Sequence, residues 1–152
     1  MSSDNHIPEK LRHLLATLDG IYDTGERVAL LVDFAKRFTP VPSGIAERPY
    51  PESHRVPFCE SEAYVWAVPS AEGTLKFHFA VENPSGVSAK ALAAILDATL
   101  SGTPVDQVAA VTPDIVTRIF RQNISMGKGM GLMGMVQRVQ SLARAHAAAA
   151  RP

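Results

Sequence analysis

Leu11, Leu14, Leu15 and Leu18 recur at i, i+3, i+4 and i+7, the spacing of one face of an amphipathic helix, and Pro8 stands where such a helix can open. A second helix is predicted from about Gly25 to Arg37, with Val28, Leu31, Val32 and Ala35 as its buried positions. The helical pattern then stops. Prolines at positions 40, 42, 49, 51 and 57 block helix continuation and remove ladder donors. A long irregular crossing is expected between Thr39 and Pro57, a kind of segment that in compact domains is often functional or mobile.

From Ala63 the period changes to two. Tyr64, Trp66 and Val68 fall on one side and Ala63, Val65 and Ala67 on the other. In the next run Leu75, Phe77, Phe79 and Val81 share a face, while Lys76 and His78 point to the opposite one. The link from Ser70 to Thr74 contains Gly73 and reads as a hairpin loop. A shorter strand around His54 to Val56 is expected to pair alongside. Beyond Pro84 and Gly86 the helical period returns in Leu92, Ile95, Leu96 and Leu100, ending at Gly102. Thr103-Pro104 and Thr112-Pro113 each read as an N-cap followed by proline at the first helical position, so two short helices are predicted. A last helix carries Leu132, Met135, Val136, Val139 and Leu142, then an alanine-rich tail expected to fray at Arg151 and Pro152. Helices before and after a strand pair, without βαβ alternation, predict an α+β fold in which a three-stranded antiparallel meander packs against flanking helices. No internal repeat or linker divides the 152 residues, which suit one domain.

Charge changes the picture by subtraction. Fifteen basic residues balance fifteen acidic ones, which argues against a nucleic-acid clamp or a membrane surface binder, since both rely on a dense positive patch. Met1 to Asn5 is polar and no apolar h-region follows, so no signal peptide is expected. The apolar runs fall far below the roughly 18 residues of a membrane span, and a cytoplasmic location is expected. In that reducing compartment a thiol stays free.

The chain has one cysteine, Cys59. It cannot form an internal disulfide, build a four-thiolate metal site or perform dithiol chemistry. Its place, between an expected edge strand and the central hairpin, suits a presented side chain. The plain alternative is a space-filling cysteine, since free cysteine is among the most buried residue types. Glu60, Ser61 and Glu62 are poor core material and favour the first reading.

The segment Arg55-Val56-Pro57-Phe58-Cys59-Glu60-Ser61-Glu62-Ala63-Tyr64 resembles the R-V-x-G-C-[EQ]-S-x-[AV]-W segment of the SufE family, sulfur acceptors that work beside cysteine desulfurases. Three further stretches share the resemblance in the same order. Leu31 to Pro42 is similar to that family's helix and proline-rich crossing. Ala91-Leu92 through Ser101-Gly102-Thr103-Pro104 resembles its G-L-x-x-L…S-G-x-T-P helix and cap, and Ile124-Ser125 to Gly131-Leu132 its L-S-x-x-R-x-N-G-L segment. The likeness covers about residues 14–143. Four departures stand out: Phe58 replaces the usual glycine, Lys128 an arginine, Met130 an asparagine and Lys90 another arginine. An acid-serine-acid segment has become Asn83-Pro84-Ser85. The lysine at 128 loses a bidentate fork, and together the departures bear on partner choice.

The resemblance implies that a pyridoxal-phosphate-dependent, SufS-like cysteine desulfurase holds sulfur as a persulfide, and that the Cys59 thiolate takes the outer sulfur for a SufB-like iron–sulfur scaffold or another acceptor. It implies no metal or cofactor on this chain itself; a homodimer is left open. Only thiolate attacks. Glu60 and Glu62 oppose ionisation, whereas His54, Arg55 and Lys128 favour it if the fold brings them near. Arg55, Glu60, Ser61 and Lys128 are the expected docking or supporting residues. Because no second thiol can resolve a persulfide, the sulfur must pass to another protein. Two other classes remain: an adaptor that binds a desulfurase with Cys59 dispensable, and a helical interaction domain with a buried cysteine.

Other motifs carry less. Gly127-Lys128-Gly129-Met130-Gly131 lacks the spacing and the hydroxyl of a phosphate loop. It reads instead as a flexible approach to the last helix whose N–H groups can face an anion, or as simple capping with close packing at the glycines. The histidines at 6, 13, 54, 78 and 146 show no metal spacing. No orienting asparagine supports a thiol hydrolase. Trp66 and Tyr64 read as core. Met126, Met130, Met133 and Met135 are candidates for an adaptable partner surface, with some in the core.

Overall fold

The computed structural model describes residues 3–121 and 124–150. The expected fraying at Arg151 and Pro152 lies outside those residues, as do the first two positions of the polar N-terminus. Helix α1, Glu9–Asp19, buries Leu11, Leu15 and Leu18, with Pro8 in the N-cap position.

Helix α2, Thr24–Lys36, opens on Asp23, whose carboxylate accepts from the Glu26 N–H at 2.9 Å. Its buried residues are Arg27, Leu31 and Phe34. The buried face is therefore rotated from the predicted one: Val28 and Val32 are 41% and 37% exposed. The cause is Arg27. Its guanidinium donates to the carbonyls of Leu18, Ile119 and Arg118, which turns that side of the helix inward.

Strands β1, Ala63–Pro69, and β2, Leu75–Val81, form an antiparallel pair. The register matches Ala63 to Val81, Val65 to Phe79 and Pro69 to Leu75. Gly73 and Glu72 take left-handed backbone angles in the connection, with φ of 76° and 59°. The expected third strand does not form: among the described residues the sheet has two strands, and only an isolated bridge joins Arg55 to Tyr64. Glu52–His54 winds into a 3-10 turn instead, and Pro57 has no N–H with which to continue a ladder.

Helix α3, Val87–Leu100, covers the inner face of the sheet. Gly102, at φ 77°, follows it and donates its N–H to Leu75 O at 2.9 Å. Two short helices come next, α4, Val105–Ala109, and α5, Ile115–Phe120. Their caps differ from the prediction, since Pro104 and Asp114 hold the N-cap positions. The Thr103 hydroxyl is committed to Leu100 O at 2.7 Å and that of Thr112 to the Asp114 carboxylate.

Helix α6, Met126–Ala150, already includes Gly127 to Gly131. Ser125 caps it, its hydroxyl accepting from the Lys128 N–H at 3.3 Å, so this stretch is a capped helical turn. Leu132, Met135, Val136 and Val139 are buried there; Leu142 is partly buried and Ala143 takes the fully buried place.

The main core gathers Leu11, Leu15, Phe77, Phe79, Leu92, Ile95, Ile119 and Met135 between the helices and the sheet. A second, smaller core lies on the outer face, where Tyr64, Trp66 and Ala80 are covered by Val41, Ala46 and Tyr50 of the proline-rich crossing. The crossing is anchored by the Val41 N–H donating to Phe79 O at 2.8 Å. Among the described residues no helix is long and apolar enough to cross a membrane.

Candidate functional site at Cys59

Cys59 sits in the turn leading into β1, beside the end of β2. Across the turn, the Val56 N–H donates to Ala63 O at 2.8 Å and the Glu62 N–H to Cys59 O at 3.1 Å. The segment after β2 ties down the outer arm: Glu82 N–H donates to Glu62 O, Asn83 N–H to Ser61 O, and the Asn83 amide to Glu60 O at 3.2 Å. Asn83 thus fastens two residues of the turn. Phe58 and Glu62, on either side of the cysteine, have φ of 58° and 52°, left-handed angles that cost a residue bearing a Cβ.

Helix α6 supplies the wall behind the thiol. A Cβ built on Gly131 would lie 3.0 Å from Cys59 Cα and 3.4 Å from its Sγ. One built on Gly134, three residues on, would lie 3.1 Å from Val56 Cγ1. The glycines make a flat face against which the cysteine turn rests, the close-packing alternative for the glycine run. Cys59 is consequently buried, at 6% exposure, whereas the preceding Phe58 is 91% exposed.

Beside the thiol is a hollow of about 20 Å³, lined by Cys59, Glu60, Ser61, Ser88, Lys128 and Gly131 among others. That volume suits one water-sized or sulfur-sized atom. Of the residues singled out from sequence, Cys59, Glu60, Ser61 and Lys128 are brought together. Arg55 and His54 are not. The His54 ring stacks on Trp66 with centroids 5.2 Å apart, and its Nδ1 lies 2.9 Å from Val65 O. Arg55 faces a separate groove and makes a loose ion pair with Glu52 at 3.6 Å. Sequence reasoning noted Asn83 only as part of a departure from the family pattern, and offered close packing at the glycines without naming Cys59 as the partner of Gly131.

Among the described residues, no group of three or more metal-ligating side chains is found. An α+β fold with one buried thiol in a tied turn, backed by a glycine-faced helix and beside an atom-sized hollow, defines a single-thiol protein. The chain belongs to the SufE family: the model of the SufE domain, described as an Fe-S metabolism associated domain, matches residues 12–143. SufE-like protein 1, chloroplastic/mitochondrial, of Arabidopsis thaliana is 26% identical over 138 residues, which is 90% of this chain and 35% of that protein. The chain thus spans about a third of its curated relative. The solution structure of a hypothetical protein from Thermus thermophilus superimposes with a TM-score of 0.73 at 22% identity, covering 93% of this chain and 98% of the other. That likeness shows the fold.

Proposed function

We propose that Cys59 is a sulfur acceptor. In this reading its thiolate attacks the outer sulfur of a persulfide held by a pyridoxal-phosphate-dependent cysteine desulfurase. A new S–S bond forms at Cys59, the donor's S–S bond breaks, and the electron pair leaves on the donor's thiolate, so no external oxidant is needed. Residues 12–143 act as one carrier unit that stimulates the desulfurase and passes the sulfur to an iron–sulfur scaffold or another acceptor. The single observation that carries the reading is the hollow of about 20 Å³ beside the thiol, which has room for one added sulfur. Lys128, Ser61 and Ser88 line it and offer an ammonium and two hydroxyls to an anionic outer sulfur.

Burial of Cys59 at 6% exposure favours a second reading, an adaptor that binds a desulfurase while the cysteine only fills space. Mass spectrometry after incubation with a desulfurase and free cysteine separates the two. An adduct of about 32 Da on Cys59 is expected for transfer. Desulfurase stimulation that survives Cys59→Ser, with no adduct in the wild type, supports the adaptor and removes the carrier.

A further inference from the structure

A second concavity adjoins the cysteine turn and shares no lining residue with the hollow beside the thiol. It is a groove of about 420 Å³ between the turn and α6, and its walls include Arg55, Phe58, Met130, Gln137 and Arg138. None of its lining residues is acidic. Arg138 donates one guanidinium N–H to Ser53 O at 2.6 Å, and its Nε is buried without a partner among the described residues. Among those residues the only carboxylate paired with Arg55 is that of Glu52, 81% exposed and 3.6 Å away, a contact that a better acceptor can displace.

The apolar wall is more open than the cationic one, whose Arg55 and Arg138 are half-buried. Phe58 is 91% exposed and Met130 62% exposed, and Phe58 is turned outward on a left-handed backbone that a glycine would occupy without strain. A strained, solvent-facing aromatic beside two guanidiniums has the composition of an interface anchor. Pro57 and Phe58 lead directly into Cys59, so whatever fills the groove stands next to the thiol.

Building on the acceptor reading above, we infer that this groove docks the cysteine desulfurase, taking from it an acidic segment whose carboxylate meets Arg55 and Arg138 while an adjoining apolar side chain lies on Phe58 and Met130. Charge pairing fixes the orientation and speeds encounter, and the aromatic excludes water from the pairs.

Titration of the Cys59→Ser variant with a SufS-like cysteine desulfurase tests the groove without requiring sulfur transfer. The complex is expected to weaken as salt rises. In the same background Gln137→Glu, which places a carboxylate in the groove, is expected to weaken binding about 10-fold at low salt, and Phe58→Ala by a similar factor. Arg144→Glu, an exposed change on the same helix outside the groove, should stay within about twofold and controls for net charge. Thermal melts confirm that each variant is folded. Equal affinity for Gln137→Glu and Phe58→Ala overturns the inference, as does an Arg144→Glu loss as large as theirs, or no complex at all. The Cys59 adduct in wild type is read separately: binding through the groove without an adduct keeps the docking surface and removes the acceptor reading.

Discussion

Gly131 and Cys59 approach so closely that the helix and the turn act as one unit. The nearest atom to an added Cβ is Cys59 Cα, at 3.0 Å, which is backbone and not the free end of a side chain. Gly131→Ala must therefore displace the turn. The expected cost is about 1–3 kcal/mol of stability, together with faster alkylation of Cys59 as the turn lifts from α6. Denaturant unfolding and the iodoacetamide rate check the two effects, and an unchanged rate would mean that the helix does not hold the thiol closed. At this scale the sequence was informative where the family-like motifs singled residues out: Cys59, Glu60, Ser61 and Lys128 meet around one hollow. The condition set for His54, that the fold bring it near the thiol, is not met, because chain proximity says nothing of direction. Five residues before the cysteine, its ring belongs to the Trp66 stack.

At the scale of elements, α2 shows how one polar side chain can outweigh an apolar stripe. Arg27 is 2% exposed, and burial, then the Arg121 charge, weaken its hold on its proton, with Asp19 opposing them; a guanidinium still stays charged throughout the ordinary pH range. It joins the C-terminal ends of α1 and α5 through Leu18 and Ile119. In Arg27→Met the Ile119 carbonyl loses its side-chain donor, and the Leu18 carbonyl loses one of its donors while keeping the Ile21 N–H at 3.1 Å and the Arg121 contact at 3.3 Å. The expected loss is about 2–3 kcal/mol, read as a lower urea midpoint at constant m. A midpoint within error of wild type would show that water replaces the guanidinium without cost. Hydrophobic periodicity located α1, α2, α3 and α6 and both strands. The edge strand failed because the strand-like stretch His54 to Val56 begins inside the Glu52–His54 3-10 turn and runs directly into Pro57.

At the scale of the whole molecule, α2, β2 and α3 enclose a cleft of about 330 Å³, with His78 and Lys76 among its walls. Burial first, then the Lys76 charge, lower the His78 pKa from its ordinary 6.5, with Asp97 acting the other way. Lys76 is itself held by Asp97 at 2.6 Å. Because the folded pKa is depressed, the unfolded chain binds more protons as pH falls through 6.5, and stability is lost in that direction. Above 6.5 the contribution is complete. Urea midpoints across roughly pH 5–8 should fall toward the acid end, and His78→Gln should flatten that fall; an identical slope in the variant would assign it to other groups. The sequence by itself determined the order of helices and strands, the single thiol and the motif around it, because periodicity and residue chemistry are local properties of the chain. Tertiary structure alone decided that the crossing roofs the outer face of the sheet, that α2 turns on Arg27, that the thiol is closed against Gly131 and that Arg55 and Arg138 share a groove. Those outcomes depend on contacts between residues far apart along the chain, where packing and the need to satisfy buried polar groups override local pattern.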